Sequence, residues 1–262
     1  MTSLAQNGAQ VSAAAGRYLY AIIDTDDGDN ARPLGLAGLD GAEVYTVAAG
    51  AVAAVVSDLP LKKIRPERRK LAAHHEVLKR LMEDHAVLPM AFGLVADGVD
   101  AVQRVLRINH DTIAEQLARV RGRVEMGVRV SWDVPNIFEF ALLTYPRLSE
   151  LRDHMFRGGR QPTHDEMIEI GRQFDRLITA EREESVEKVL DVIGNRCIEA
   201  VSNKPRDDRE VMNLACLVER SGVADFELAV YEAARQFDEH YAFDINGPWP
   251  PHNFADLTLR TS

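Results

Sequence analysis

The chain has 262 residues, 46% of them hydrophobic and 27% charged, enough for a real core in one large domain or two small ones. Its 41 acidic against 31 basic residues give a formal net charge of −10, which argues against a nucleic-acid binder and against docking on an anionic membrane. No window is apolar for long enough to span a bilayer, and residues 1–16 have no basic region or apolar core of a secretory signal, so they read as a disordered leader on a cytoplasmic protein.

Arg17 to Ile23 reads as a short strand, stopped by an acidic loop from Asp24 to Asn30. That loop lacks the ligand spacing and closing glutamate of a calcium site, so a solvated turn is expected. Glu43–Ala48 and Val52–Ser57 flank Ala49-Gly50-Ala51 and predict a hairpin. Pro66 and Glu67 open a helix, with proline in its first turn and Leu71, Val77, Leu78 and Leu81 on its apolar face. Val87 to Leu94 predicts a strand beginning around Pro89, and Asp97 to Arg119 a single helix. Glu125 to Trp132 alternates, with Met126, Val128, Val130 and Trp132 on one side, as a half-buried strand does.

Asn136 to Phe156 reads as helix with a break at Pro146, then a hinge loop from Gly158 to Pro162. Thr163 and Glu166 form a capping-box pattern that starts a helix predicted to reach about Val201. Its apolar seam lapses through Glu181–Ser185, which predicts a solvated stretch projecting beyond the core. A loop over Ser202–Asp208, a strand over Arg209–Glu219, a helix over Phe226–Glu239 and a strand over Tyr241–Ile245 complete the order. Cys197 and Cys216 fall in apolar-periodic segments and read as buried small hydrophobes rather than as a disulfide or a redox pair. At Gly247-Pro248-Trp249-Pro250-Pro251 the prolines cannot pair inside a sheet, so a stiff extended tail is expected, with Trp249 plugging the core in preference to the alternative of anchoring a partner. The pattern is α+β: two small domains, 17–122 and 123–262, the C-terminal one ferredoxin-like with a long helical excursion and the Pro/Trp tail.

His74, His75 and His85 invite a metal reading. Adjacent histidines on a helix point about 100° apart, however, and cannot chelate one ion from a single face. A partly buried histidine pair is the expectation. No nucleophile elbow, P-loop or dinucleotide fingerprint is present, and Gly35, Gly38 and Gly41 do not lead a strand into a helix. The chain is therefore read as non-enzymatic, with no catalytic residue, no cofactor and no metal. The alternative is a small-molecule-binding or enzymatic pair of domains with a pocket between them.

Four stretches, taken in order, resemble the GvpL/GvpF family of gas vesicle proteins. They are Arg17-Tyr18-Leu19-Tyr20-Ala21-Ile22-Ile23; His74-His75-Glu76-Val77-Leu78 with Val87-Leu88-Pro89-Met90-Ala91-Phe92-Gly93; Glu125 through Trp132; and Tyr241 through Phe254 with its Gly247-Pro248-Trp249-Pro250-Pro251 run. Ala91 stands where the resemblance leads one to expect arginine. The resemblance implies a two-domain α+β layout and a role in gas vesicle assembly. It also implies contact with the small hydrophobic major shell protein, and with other accessory proteins, at the vesicle. The signature residues it points to are His74, His75, Pro89, Phe92, Gly93, Trp132, Gly247, Pro248, Trp249, Pro250 and Pro251.

Overall fold

A computed structural model describes residues 15–25, 32–60, 64–159 and 161–260. The expected leader lies almost wholly outside these residues, as do most of the acidic loop and Arg160 of the hinge. The class is α+β, and the chain divides into two compact units: Met1–Arg123 with Trp249–Ser262, and Val124–Pro248.

The first unit is built on a sheet ordered β2-β3-β4-β1-β5, with β6 also paired to β1. The strands are β1 (Ala15–Asp24), β2 (Pro33–Ala37), β3 (Glu43–Ala49), β4 (Val52–Pro60), β5 (Val87–Pro89) and β6 (Val95–Ala96). β1 sits inside the sheet, antiparallel to β4 and β5, and Tyr18 through Ile23 are all buried. Burial on both faces explains why its sequence is continuously apolar rather than alternating. The β3–β4 hairpin turns at Gly50, whose φ of 68° suits glycine.

Three helices belong to this unit: α1 (Arg68–Asp84), α2 (Val99–Ile108) and α3 (His110–Val120). Three expectations change here. Pro66 precedes the N-cap Glu67 instead of opening the first turn. The strand near Pro89 ends there rather than beginning, because proline brings no N–H to continue the ladder. The single helix expected over 97–119 breaks at Asn109. Its buried side chain donates to the Val105 and Arg260 carbonyls at 2.7 and 2.9 Å and accepts from the Arg260 N–H at 2.9 Å. A side chain that competes for backbone partners favours such a break.

The same bonds fix the C-terminal tail. Ala255, Leu257 and Leu259 pack against the core of the first unit, and Phe254 is 1% exposed. Trp249–Ser262 therefore group with the first unit, whereas the sequence assigned them to the C-terminal half.

The second unit runs β7 (Arg123–Trp132), α4 (Ile137–Thr144), α5 (Pro146–Met155), α6 (His164–Ile193), β8 (Glu199–Asn203), β9 (Glu210–Glu219), α7 (Val223–Ala234) and β10 (Tyr241–Trp249). Its sheet is ordered β10-β7-β9-β8. Pro146 starts α5 and separates it from α4. The capping box forms: the Glu166 N–H donates to Thr163 Oγ1 at 3.3 Å, and the Thr163 N–H to Glu166 Oε2 at 2.8 Å. α6 stops at Ile193, short of Val201, and Glu199–Asn203 pair with β9 as a strand. β10 extends past Ile245 through Gly247 and Pro248. Its place at the edge of the sheet makes this possible, since an edge strand tolerates a missing donor. Among the described residues, no helix is long and apolar enough to cross a membrane.

Candidate functional site

The first two signature stretches meet in one buried cluster of the first unit. Tyr18 and Tyr20 are two residues apart on β1, a spacing that places both side chains on one face of the strand. Tyr18 and Tyr20 come to lie with ring centroids 4.8 Å apart. The Tyr18 hydroxyl meets His74 Nδ1 at 2.8 Å and accepts from the Gly93 N–H at 3.3 Å. Tyr20 meets Ser57 Oγ at 2.9 Å and accepts from the Leu39 N–H at 2.8 Å, while its ring stacks on His74. Phe92 closes the cluster, 6.0 Å from Tyr18 and 5.8 Å from His74 between centroids. Gly38 leaves no room for a Cβ beside the Tyr20 hydroxyl.

Burial, and then the charge of neighbouring His75, push the His74 pKa down to about 4; burial pushes Tyr18 up to about 12. Both groups are therefore neutral at physiological pH, and the pair holds helix α1 to strand β1. On unfolding, the imidazole returns to its ordinary pKa of 6.5, so between about 6.5 and 4 the unfolded chain binds more protons than the folded one. Stability from this group is complete above that window and falls as pH drops through it, by up to ~1.4 kcal/mol per pH unit. Urea midpoints measured against pH should show this slope, and His74→Gln should flatten it. An identical profile in the variant would remove His74 as its source.

His75, the next residue of α1, is exposed, its ring 5.9 Å from that of His74 and 6.1 Å from that of His252 in the tail. His85 lies apart, its Nδ1 3.9 Å from Asp24. Among the described residues, no group of three or more His, Cys, Asp and Glu side chains is gathered as for a metal ion. Pro89 is half-buried opposite Ala21.

The third and fourth stretches meet in the second unit. A Cβ on Gly127 would collide with the Asn246 amide, and one on Gly247 would come within 2.9 Å of the Glu125 carbonyl and of Met126 Sδ. Gly247 also has a φ of 124°, where side chains are strained. Glycine at both places lets β7 and β10 approach closely. Trp132 is buried at the end of β7, 6.4 Å from the Tyr241 ring, with the Arg182 guanidinium 5.4 Å above its face.

That contact corrects the reading of α6. Its charged middle does not project into solvent. Arg182 donates to the Glu210 and Asp208 carbonyls, both at 3.0 Å. Glu181 accepts from the hydroxyls of Tyr145 and Tyr241 at 2.6 and 2.9 Å, and Ser185 is buried. Only Glu183 and Glu184 face outward. Sequence periodicity marks such charges as solvated because their partners lie far along the chain.

Trp249 departs from expectation as well. It is 43% exposed, while Pro250, Pro251 and Phe254 are buried, so the plug of the tail is Phe254. Pro248 is exposed on the edge strand. Of the two cysteines expected to be buried, Cys216 is buried in β9 and Cys197, just ahead of β8, is half-buried.

A cleft of about 410 Å³ opens within the second unit between Arg129, Asp133, Arg206, Arg209 and Asp244. Arg129 pairs with Asp244 at 2.6 Å, and Arg209 donates to the Val134 carbonyl at 2.8 Å. These guanidiniums are thus already engaged, and charges of both signs line the cleft.

Residues 16–256 match the family model described as "Gas vesicle synthesis protein GvpL/GvpF". The chain is 29% identical over 241 residues to gas vesicle protein F of a Streptomyces species, covering 91% of this chain and 99% of that one. It is 27% identical to gas vesicle protein L1 of Halobacterium salinarum, covering 92% and 90%. Its fold is similar to the crystal structure of gas vesicle protein GvpF from an Anabaena species, with a TM-score of 0.79 at 24% identity over 93% of this chain and 99% of that one. The match spans nearly the whole chain and takes in both clusters of signature residues: the chain belongs to the GvpL/GvpF family of gas vesicle synthesis proteins.

Proposed function

We propose that this protein is a non-enzymatic accessory component of gas vesicle assembly, working in the cytoplasm and at the vesicle. It binds the major shell protein during nucleation or early growth. The observation that carries this reading is the family match over residues 16–256, supported by relatives named as gas vesicle proteins F and L. Such a shell subunit is small and hydrophobic and must be kept from aggregating before it is incorporated. An acidic binder with exposed apolar side chains suits that task, and Leu143 and Leu228 are 85% and 62% exposed here. We read the two compact units as two domains. The strand-helix-strand-strand-helix-strand order of the second, with its sheet order β10-β7-β9-β8, supports reading it as a ferredoxin-like domain elaborated in its first helical connection, α4 to α6.

Within the signature set we assign His74, Phe92, Gly93, Trp132 and Gly247 to holding the fold, and Trp249 to partner contact. Trp249 exposes a large apolar ring on a backbone stiffened by flanking prolines, so little freedom is lost when it docks. Trp249→Ala is expected to weaken shell-protein binding by ~2 kcal/mol or more. Paired isotherms of wild type and variant measure it, and equal affinities would move the contact elsewhere. The role itself is tested by removing the gene from a vesicle-forming host. Shell protein should still be made while vesicles fail to form, and normal vesicles in normal number would count against an assembly role.

A further inference from the structure

We propose that the outward face of α7 is a docking site for a basic amphipathic helix of a partner protein. Helix α7 (Val223–Ala234) turns one stripe inward, where Phe226, Ala229, Val230 and Ala233 are buried. The opposite stripe is not polar, as a solvated face would be. Ala224, Leu228 and Tyr231 follow one another in steps of four and three. At about 100° per residue they fall within about 60° of one another around the helix. All three are exposed, Leu228 by 62% and Tyr231 by 63%. One more step of four reaches the C-cap Arg235, so the apolar seam spans about two turns and ends in a cation.

Alternate steps of four and three are the spacing of a coiled-coil seam, which keeps its side chains facing a neighbouring helix. An exposed leucine alone needs no explanation, but two large side chains in register on one seam mark a contact surface. The charges beside the seam decide which neighbour fits. Asp225 and Glu232 flank it on one side and Glu227 on the other, all of them exposed and acidic. These are the positions that set partner choice between paired helices. A second copy of α7 would set acid against acid: Glu227 against Glu232 in a parallel pair, Asp225 and Glu232 against each other in an antiparallel one. Like charges so placed reject that pairing. A helix with an apolar seam of its own, bordered by lysine or arginine, meets both features at once. It covers Leu228 and Tyr231 and pairs with the three carboxylates. The net charge of −10 adds long-range attraction for such a partner. Tyr231 is the natural anchor, since tyrosine joins a large apolar ring to a polar tip. This face is a separate contact from Trp249, and any protein with a helix of that chemistry fits it.

The test uses the native full-length chain and fluorescein-labelled peptides of about three heptads, read by anisotropy at physiological salt. One peptide carries leucine on the seam and lysine at the flanking positions. A second has glutamate in place of those lysines, and a third is the lysine peptide with its order scrambled. The lysine peptide should bind, and the other two at least ~tenfold more weakly. Leu228→Ser with Tyr231→Ser changes exposed side chains only, so the circular dichroism should stay as it is while affinity for the lysine peptide falls at least ~tenfold. Glu227→Lys with Glu232→Lys should exchange the preference, releasing the lysine peptide and taking up the glutamate one. Equal binding of the scrambled peptide would reduce the effect to bulk charge and overturn the proposal. So would undiminished affinity in the variant of Leu228 and Tyr231, or no binding of the lysine peptide to the folded wild-type chain. A wild-type dimer in sedimentation that Leu228→Ser dissolves would overturn it too, by giving the face to a second copy. The probe is a peptide and not the shell protein, so these results are read separately from the assembly role.

Discussion

Phe254→Ala should destabilise the protein by about 3–5 kcal/mol, the cost of truncating a buried aromatic. Phe254 is 1% exposed, and the chain around it is held by a tight turn in which the Phe254 and Ala255 N–H groups donate to the Pro251 carbonyl at 3.2 and 3.1 Å. Beyond it, Leu257 and Leu259 lie on the core, and Arg260 is clamped by Asn109. Loss of Phe254 leaves a cavity at the head of this strap. Trp249→Ala, by contrast, should cost about 1 kcal/mol or less, since an exposed ring has little transfer energy to lose. Urea denaturation of the two variants side by side separates them. A larger loss for Trp249 than for Phe254 would reverse the assignment of the plug.

Trp132→Ala should cost a similar ~3–5 kcal/mol, this time in the second unit. Trp132 is among the largest fully buried side chains and lies beneath the Arg182 guanidinium. Its removal therefore takes away both a core side chain and the face on which a cation rests. Arg182→Ala should cost less, about 1–3 kcal/mol, through the carbonyls of Glu210 and Asp208 that it leaves without their donor. The two losses should not add, because the residues share a contact. A double variant equal to the sum of the singles would show that the guanidinium and the indole act independently. Deleting a turn around Glu181–Ser185 should unfold the unit, where a projecting solvated helix would have tolerated it.

The sequence was legible wherever a local rule sufficed. The hairpin at Gly50, the alternation of β7, the break at Pro146 and the Thr163–Glu166 cap all follow from turn chemistry, period or capping within a few residues. The family resemblance supplied the candidate site residues; of these, His74, Phe92 and Gly93 lie together in one cluster, beside Tyr18, which was not among them, and Gly247 lies against β7. Illegible were the features set by long-range partners. Glu181 looked solvated because Tyr145 and Tyr241 lie 36 and 60 residues away. The helix over 97–119 looked continuous because the reason for its break, Asn109 reaching Arg260, spans 151 residues. Trp249 looked like the plug because size and flanking prolines say nothing about which of two nearby aromatics turns inward.

Direct binding to the major shell protein is the central claim, and affinity capture from co-expressed cells tests it most directly. The tagged full-length chain is purified beside its Trp249→Ala variant, with folding of both verified by circular dichroism. The shell subunit should be retained by the wild-type chain in stoichiometric amount and depleted on the variant. A folded wild-type chain that never retains the shell subunit above background would contradict the claim.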